Sequence, residues 1–259
     1  GGGLSKERQI RLNTAKQVKN ILKKKYKVFQ CDFDKNFIDN VKKFQPDIIF
    51  NALHGRFGED GYVQSIFETL KIKYTHSGVL SSALAMDKIA SKEIFKKNKI
   101  LTPKYLKYNN LDANKKYIKK KIEKQLKFPV VIKPINEGSS VDVFICTKKN
   151  IIKNLSKIKK YKEILIEQYV GGREIQVAIL GKKKLGAIEL KPKRKFYDYN
   201  AKYDHRAKTE HLIPVKISKK NMKKVLSIAY KAHKLLKCRG VTRSDFKFFK
   251  NKFYLLELN

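Results

Sequence analysis

The chain has 259 residues, 61 Lys and Arg against 23 Asp and Glu for a formal charge of +38, and 42% hydrophobic and 11% aromatic content. That is long enough for about two domains with sizeable cores, and too apolar for a disordered tail. No apolar run approaches the roughly 20 residues of a membrane span, no signal peptide opens the chain, and the spacing of Cys31, Cys146 and Cys238 fits neither a zinc site nor a disulfide framework, which together read as a cytoplasmic protein with reduced thiols.

After three glycines, Ser5 is a good cap for a helix to about Lys25, with Leu12, Ala15, Val18 and Leu22 at helical spacing. YKVFQCDF and PDIIFNAL read as strands, the second nearly continuous in apolar residues as in a parallel sheet, and the helix YVQSIFETL follows. This alternation is α/β, with the strand expected before the opening glycines missing. A second long helix is predicted from Ser81 to Lys97. A small α/β unit then runs TPKYLKY, a Lys-rich helix to Lys127, FPVVIKP, a turn, VDVFICT, another helix and EILIEQYV. The third part opens with the hairpin REIQVAIL-GKKK-LGAIEL, turning at Gly181. The polar, aromatic stretch 193–211 follows and is long enough to suggest a functional lid. Helix 219–237 and a closing hairpin, VTRSDFKFF-KNK-FYLLELN, complete the chain.

Four groupings carry candidate chemistry. In the closing hairpin, Leu256 and Leu258 read as the buried face, and a three-residue loop at Lys250–Lys252 places Asp245 across from Glu257 with Arg243 on the same side. Opposed carboxylates about 5 Å apart repel by roughly 3 kcal/mol at an effective dielectric near 20. A divalent cation converts that repulsion to attraction, and Asp, Glu and an Asn carbonyl are hard donors suited to Mg²⁺. Taken alone, the hairpin fits a solvent-facing charged pair better. In FPVVIKPINEGSSVDV, Lys133 interrupts a core strand and needs an anion or an exit to water, and EGSS offers backbone N–H groups and hydroxyls for phosphate. In ILIEQYVGGREIQ, Glu167 and Glu174 flank a strand crossing and could accept from an adenine or ribose, or form a plain charged turn. In NALHGRFGEDG, His54 follows a strand where α/β sheets collect ligands, while Glu59 and Asp60 fit local helix capping equally well.

The high charge has two readings. A basic surface can bind nucleic acid by releasing counterions. However, only eight of the basic residues are Arg, and Lys clusters at 23–25, 119–121 and 182–184 fall on predicted helix faces and turns. That pattern reads as biased Lys usage on solvated faces, with no specific nucleic acid as partner.

Taken in order, GGLSKER, NALHGRFGEDG, YTHSGVLSSALAMDKIASK, FPVVIKPINEGSS, FYDYNAKY and RSDF…LLELN resemble the D-alanine–D-alanine ligases of the ATP-grasp superfamily over nearly the whole chain. The resemblance implies three α/β subdomains: a substrate-binding one at 1–85, a central one at 86–168, and a C-terminal, β-rich one at 169–259, with ATP between the last two. It implies ligation of two D-alanines through a D-alanyl phosphate for peptidoglycan synthesis, with ATP as co-substrate, Mg²⁺ or Mn²⁺ as metal, and a homodimer left open. Lys88, Lys133 and Lys202 look like phosphate contacts, and Glu167, Gln168, Val170 and Glu174 like adenine and ribose contacts. Asp245, Glu257 and Asn259 match metal ligands. Glu7 resembles the anchor of the first ammonium, with Ser139 and Tyr203 in its hydrogen-bond network. His54 is implied near the first carboxylate and Arg243 at the transferring phosphoryl and tetrahedral oxyanion.

Long lid, lysines, Arg and metal ligands suit phosphoryl transfer, which needs positioning and charge neutralisation and exclusion of water from the acyl phosphate. Tyr203 in AKY favours dipeptide over depsipeptide synthesis. The chain departs from the family at Asp142, usually Gly, and at Gln168, more often Lys, and it stops before a Thr-Gln-Pro-Gly-Met-Thr stretch. It therefore reads as a fragment with weak ATP binding and doubtful turnover, the complete gene product being active. Another ATP-grasp carboxylate–amine ligase is the alternative, which the Glu7, Ser139 and Tyr203 set argues against.

Overall fold

The computed structural model describes residues 1–3, 8–110, 115–138, 140–191 and 209–259. They form two compact units, Gly1–Ala83 and Leu84–Asn259. In the first unit, helices α1 (Arg8–Leu22), α2 (Phe37–Phe44) and α3 (Tyr62–Thr69) accompany a short parallel pair of strands, β1 (Ile48–Ile49) and β2 (Lys73–Tyr74). Phe37 and Val41, one turn apart on α2, meet Val63 and Phe67 on α3 and the Tyr74 ring in one core. The stretch YKVFQCDF is not a strand. Its ladder-like bonds are both to Gly1, which donates to the Cys31 carbonyl at 2.7 Å and accepts from the Phe33 N–H at 3.0 Å.

The expected helix from Ser81 to Lys97 is two helices, α4 (Val79–Met86) and α5 (Lys88–Lys97). Asp87 separates them: its backbone is extended, and its carboxylate accepts from the N–H groups of Ile89 and Ala90, both at 2.9 Å. Such a cap satisfies two donors that a helix start otherwise leaves open. It also makes Lys88 the first residue of α5.

The second unit holds two antiparallel sheets. The four-stranded sheet has the order β3 (Tyr105–Asn109), β6 (Glu163–Gln168), β4 (Val130–Pro134), β5 (Phe144–Cys146). Alternation along its strands sends Val130, Ile132, Ile164 and Ile166 into a core with helices α6 (Lys115–Gln125) and α7 (Ile151–Lys157). Each fully buried Ile or Val of this kind contributes roughly 1.5–3 kcal/mol. The period of two then turns Val131, Lys133, Leu165 and Glu167 to the opposite face.

The five-stranded sheet has the order β11 (Lys252–Leu258), β10 (Val241–Phe249), β7 (Arg173–Leu180), β8 (Lys183–Lys191), β9 (Glu210–Leu212). Its core packs Ile175, Val177, Ile179, Phe246 and Leu255 against α8 (Lys219–Leu235) and against Phe95 of α5. Ser218 caps α8 by accepting from the Asn221 N–H at 3.2 Å. Gly181, with φ +56°, turns the β7–β8 hairpin as expected.

The closing hairpin reaches the expected pairing of Asp245 with Glu257 by a different route. Its loop has two residues, Lys250 and Asn251, both left-handed at φ 46° and 59°, and Phe249 pairs with Lys252. Register then shifts between Phe246↔Leu255 and Asp245↔Glu257, so Leu256 is an extra residue, a β-bulge. The bulge reverses the parity of the strand. Phe253, Leu255 and Leu258 are core, whereas Leu256, expected beside Leu258, lies with Glu257 on the other face.

Candidate nucleotide site

The faces left free by the two cores of the second unit line one cleft. From the four-stranded side come Lys133 and the turn after β4, from the five-stranded side come Glu174, Asp245, Lys247 and Glu257, and Lys88 enters from α5. Lys88, 6% exposed, bridges the parts: its ammonium donates to the Glu137 carbonyl at 2.6 Å and lies 3.8 Å from the Glu257 carboxylate. Its position depends on the Asp87 cap one residue earlier. The turn itself has Ser140 at φ 59° and Asp142 at φ 55°, the latter tied to the Tyr161 hydroxyl at 2.8 Å and the Lys160 ammonium at 2.6 Å.

A buried triad sits behind the cleft wall. Glu167 receives Lys133 at 2.6 Å on one carboxylate oxygen and Lys92 at 3.0 Å on the other. Burial alone raises the Glu167 carboxyl, but the two lysines outweigh it and hold the group below its ordinary range. For Lys133 burial works downward, and the charges of Glu167 and Glu257 overcome it, so the ammonium is held more firmly than usual. Burial lowers Lys92, which is fully enclosed and shares its one carboxylate with Lys133.

On β10, alternation places Arg243, Asp245 and Lys247 on the same face. Arg243 grips Asp245 through two bonds of 2.8 and 3.0 Å. Lys247 stands in register with Glu174 of β7 and pairs with it at 2.9 Å, an opposite-charge cross-strand pair. Arg243 and Asn259 exchange backbone bonds of 2.7 and 2.8 Å, so Asn259 ends up beside the Asp245–Glu257 pair. Among the described residues no cluster of three or more His, Cys, Asp or Glu forms. The donor set is two paired carboxylates and an amide carbonyl, which fits Mg²⁺, an ion that usually takes one or two carboxylates and completes its octahedron with water and phosphate oxygens.

The remaining expected contacts fall as follows. Gln168 and Val170 lie at the end of β6, where the Gln168 N–H donates to the Lys104 carbonyl at 2.8 Å, and both residues line the cleft. The Glu167 carboxylate is committed to its two lysines. His54 belongs to the first unit, its ring 3.2 Å from the Thr14 hydroxyl and its carbonyl accepting from the Arg11 Nε at 2.9 Å. Arg11 is fully buried and also binds the carbonyls of Gly2 at 3.0 Å and Arg56 at 2.8 Å, fastening α1 to the His54 loop. Glu59 and Asp60 hold that loop locally, accepting from Gly55 N–H at 2.6 Å and Phe57 N–H at 2.8 Å. Asp60 also accepts from the Tyr62 N–H at 3.1 Å, while the cap residue of α3 is Gly61, so their role is more loop bracing than helix capping. Glu7, Ser139, Lys202 and Tyr203 lie outside the described residues. Sequence reasoning missed Lys92, Lys247, Arg11 and Leu256. Lys247 had a signal, its i+2 spacing from Asp245, whereas Lys92 sits in an ordinary Lys-rich helical run and had none.

The family model described as D-ala D-ala ligase C-terminus matches residues 94–259, and the one described as D-ala D-ala ligase N-terminus matches residues 35–77. The chain belongs to the D-alanine–D-alanine ligase family. It is 64% identical over 259 residues to the D-alanine–D-alanine ligase of Pelagibacter ubique strain HTCC1062, covering 100% of this chain and 85% of that one. Among solved structures, the D-alanine–D-alanine ligase of Bacillus anthracis superposes with a TM-score of 0.85 at 33% identity, covering 100% of this chain and 84% of that one. The same enzyme complexed with ATP superposes with a TM-score of 0.82 at 29% identity, covering 100% and 83%. The two antiparallel sheets facing a shared cleft are the ATP-grasp architecture of this ligase family.

Proposed function

We propose that the cleft between the two sheets is the ATP site of an enzyme that joins two D-alanines into D-alanyl-D-alanine for peptidoglycan synthesis. The enzyme is an ATP-dependent, ADP-forming ligase. The observation that carries the site assignment is the convergence of Lys88 and Lys133 with the Asp245–Glu257 pair on one cleft.

In the reaction the carboxylate of the first D-alanine attacks the γ-phosphorus and ADP leaves. The amine of the second D-alanine then adds to the acyl phosphate, a proton is lost from nitrogen, and phosphate departs as the amide forms. The protein positions these groups and compensates their charge. Lys133 and Lys88 bind the phosphates, joined by Lys202. Gln168, Val170 and Glu174 hold the adenine and ribose, Glu174 being kept in place by Lys247, and Glu167 serves as the counter-ion of Lys133 rather than as a direct side-chain contact. Asp245, Glu257 and Asn259 hold Mg²⁺, which when bound neutralises phosphate charge. Arg243 meets the transferring phosphoryl group and the oxyanion. Glu7, with Ser139 and Tyr203, anchors the ammonium of the first D-alanine, and His54 sits near its carboxylate. The three subdomains are 1–85, 86–168 and 169–259, and the enzyme works in the cytoplasm.

A coupled assay of ADP release on the complete gene product tests this reading. Turnover is expected with D-alanine and not with L-alanine, and Lys133→Ala or Glu257→Ala abolishes it. Equal turnover with L-alanine, or full activity in Glu257→Ala, counts against it.

A further inference from the structure

Lys92 is a buried cation to which the reaction assigns no part. Its side chain is wholly enclosed, and its partners among the described residues are the Glu167 carboxylate at 3.0 Å and the Tyr105 ring, whose centroid is 5.7 Å from the ammonium. An aliphatic side chain at this place on α5 would avoid a desolvation cost of several kcal/mol. Glu167 does not need it for neutrality, because Lys133 already pairs with Glu167 at 2.6 Å. The second ammonium gives the triad a net charge of +1 in place of zero. Lys133 and Glu167 both line the cleft and Lys92 does not, so the enclosed second ammonium offsets the Glu167 charge there and leaves that of Lys133 for a polyanion.

We propose that Lys92 is a positioning residue for nucleotide binding, holding the far oxygen of Glu167 so that Lys133 is oriented but not neutralised and keeps its charge for the phosphates. The inference rests on the reading of this cleft as the nucleotide site. It explains why the carboxylate lies between cations from two separate elements, β4 and α5. A Glu167 paired with Lys133 alone would be free to swing with it, and the pair would offer the phosphates no net charge.

Calorimetric titration of the full chain with MgADP tests the proposal without relying on turnover. Lys92→Met is expected to fold, since it leaves a closed Glu167–Lys133 pair, and to weaken MgADP about tenfold, the size of one partly screened unit charge. Lys92→Gln serves the same purpose should the Met variant not fold. Adding Glu167→Gln to Lys92→Met restores the +1 at Lys133 and is expected to recover most of the lost affinity. A purely structural role for Lys92 makes the double variant no better than the single one, and that result overturns the proposal. So does unchanged MgADP affinity in Lys92→Met. Lys133→Met separates the two levels: if it weakens MgADP while Lys92→Met does not, only the role of Lys92 fails, and if it too binds normally, the nucleotide reading fails with it.

Discussion

Asp87 offers a way to disturb the cleft without touching any residue that faces it. Replacement by Ala removes an acceptor for two N–H groups at 2.9 Å and a negative charge at the start of α5. Loss of such a cap costs about 1 kcal/mol, within a range of roughly 0.5–2, and the lost charge–dipole attraction belongs to the same range. In a unit the size of Leu84–Asn259, 1 kcal/mol lowers the thermal midpoint by about 2–4 °C. Without the cap the first turn of α5 frays, and Lys88 is its first residue. The 2.6 Å bond from Lys88 to the Glu137 carbonyl and its approach to Glu257 then lose their fixed base. A weaker affinity for MgADP, by several-fold, should therefore accompany the stability loss.

Ser218→Ala provides the comparison. It removes the cap of α8, whose bond to the Asn221 N–H is 3.2 Å, and should cost a similar amount of stability. Ser218 does not precede a cleft residue, so its MgADP affinity should stay at the wild-type value. The two variants are compared by thermal unfolding and by calorimetric titration. Asp87→Asn, which keeps an acceptor, should lie between wild type and Asp87→Ala in both readouts. Equal MgADP affinity in Asp87→Ala and Ser218→Ala, with matched stability losses, would refute the link from cap to cleft.

The bulge at Leu256 predicts opposite consequences for adjacent leucines. Leu255→Ala opens a hole in a fully buried core and should cost about 2–5 kcal/mol in denaturant unfolding, whereas Leu256→Ala should cost under roughly 1.5 kcal/mol and weaken MgADP instead. Gly172 has φ +88°, and a Cβ there would meet the Phe248 carbonyl oxygen at 2.3 Å, so Gly172→Ala should destabilise by about 2–4 kcal/mol, read from the shift in urea midpoint at constant slope. Arg173 forks onto Glu189 at 2.8 and 2.6 Å and holds that carboxyl below its ordinary value of 4.5. A lowered folded pKa gives stability that is present above the unfolded value and is lost as pH falls through the folded one. Unfolding free energy should therefore drop from about pH 4.5 downward by roughly 1 kcal/mol more in wild type than in Glu189→Gln, the amount being modest because Arg173 is partly exposed.

The chemistry of the site is legible in the sequence where a residue breaks its local pattern. Lys133 interrupts an otherwise apolar strand, and Asp245 and Glu257 oppose like charges, so each asks for a partner on residue type and spacing alone. Where the local pattern is consistent with something ordinary, the signal vanishes. Lys92 lies in the helical run KIASKEIFKK of a chain with 61 basic residues, and nothing in its neighbours marks it as enclosed. Its enclosure comes from the Tyr105 ring on β3 and from Glu167 on β6, the latter far away in sequence. Asp87 is readable as a cap by residue type, but the apolar run on both sides favours a continuous helix.

The closing hairpin shows how a correct pairing can hide a wrong face. A three-residue loop with regular strands and a two-residue loop with one bulge both bring Asp245 opposite Glu257. They differ by a single residue of slack, and that residue decides which leucine joins the core. Lys250 and Asn251 at positive φ form the tight loop whose twist suits paired strands, so the surplus residue had to be absorbed further along. Absorbing it at Leu256 gives the cleft an apolar side chain next to a carboxylate, on the same side of the strand. A regular strand cannot present two neighbours that way. The irregularity that sequence periodicity could not reveal is thus what lets one strand end offer the cleft both an apolar surface and a charge.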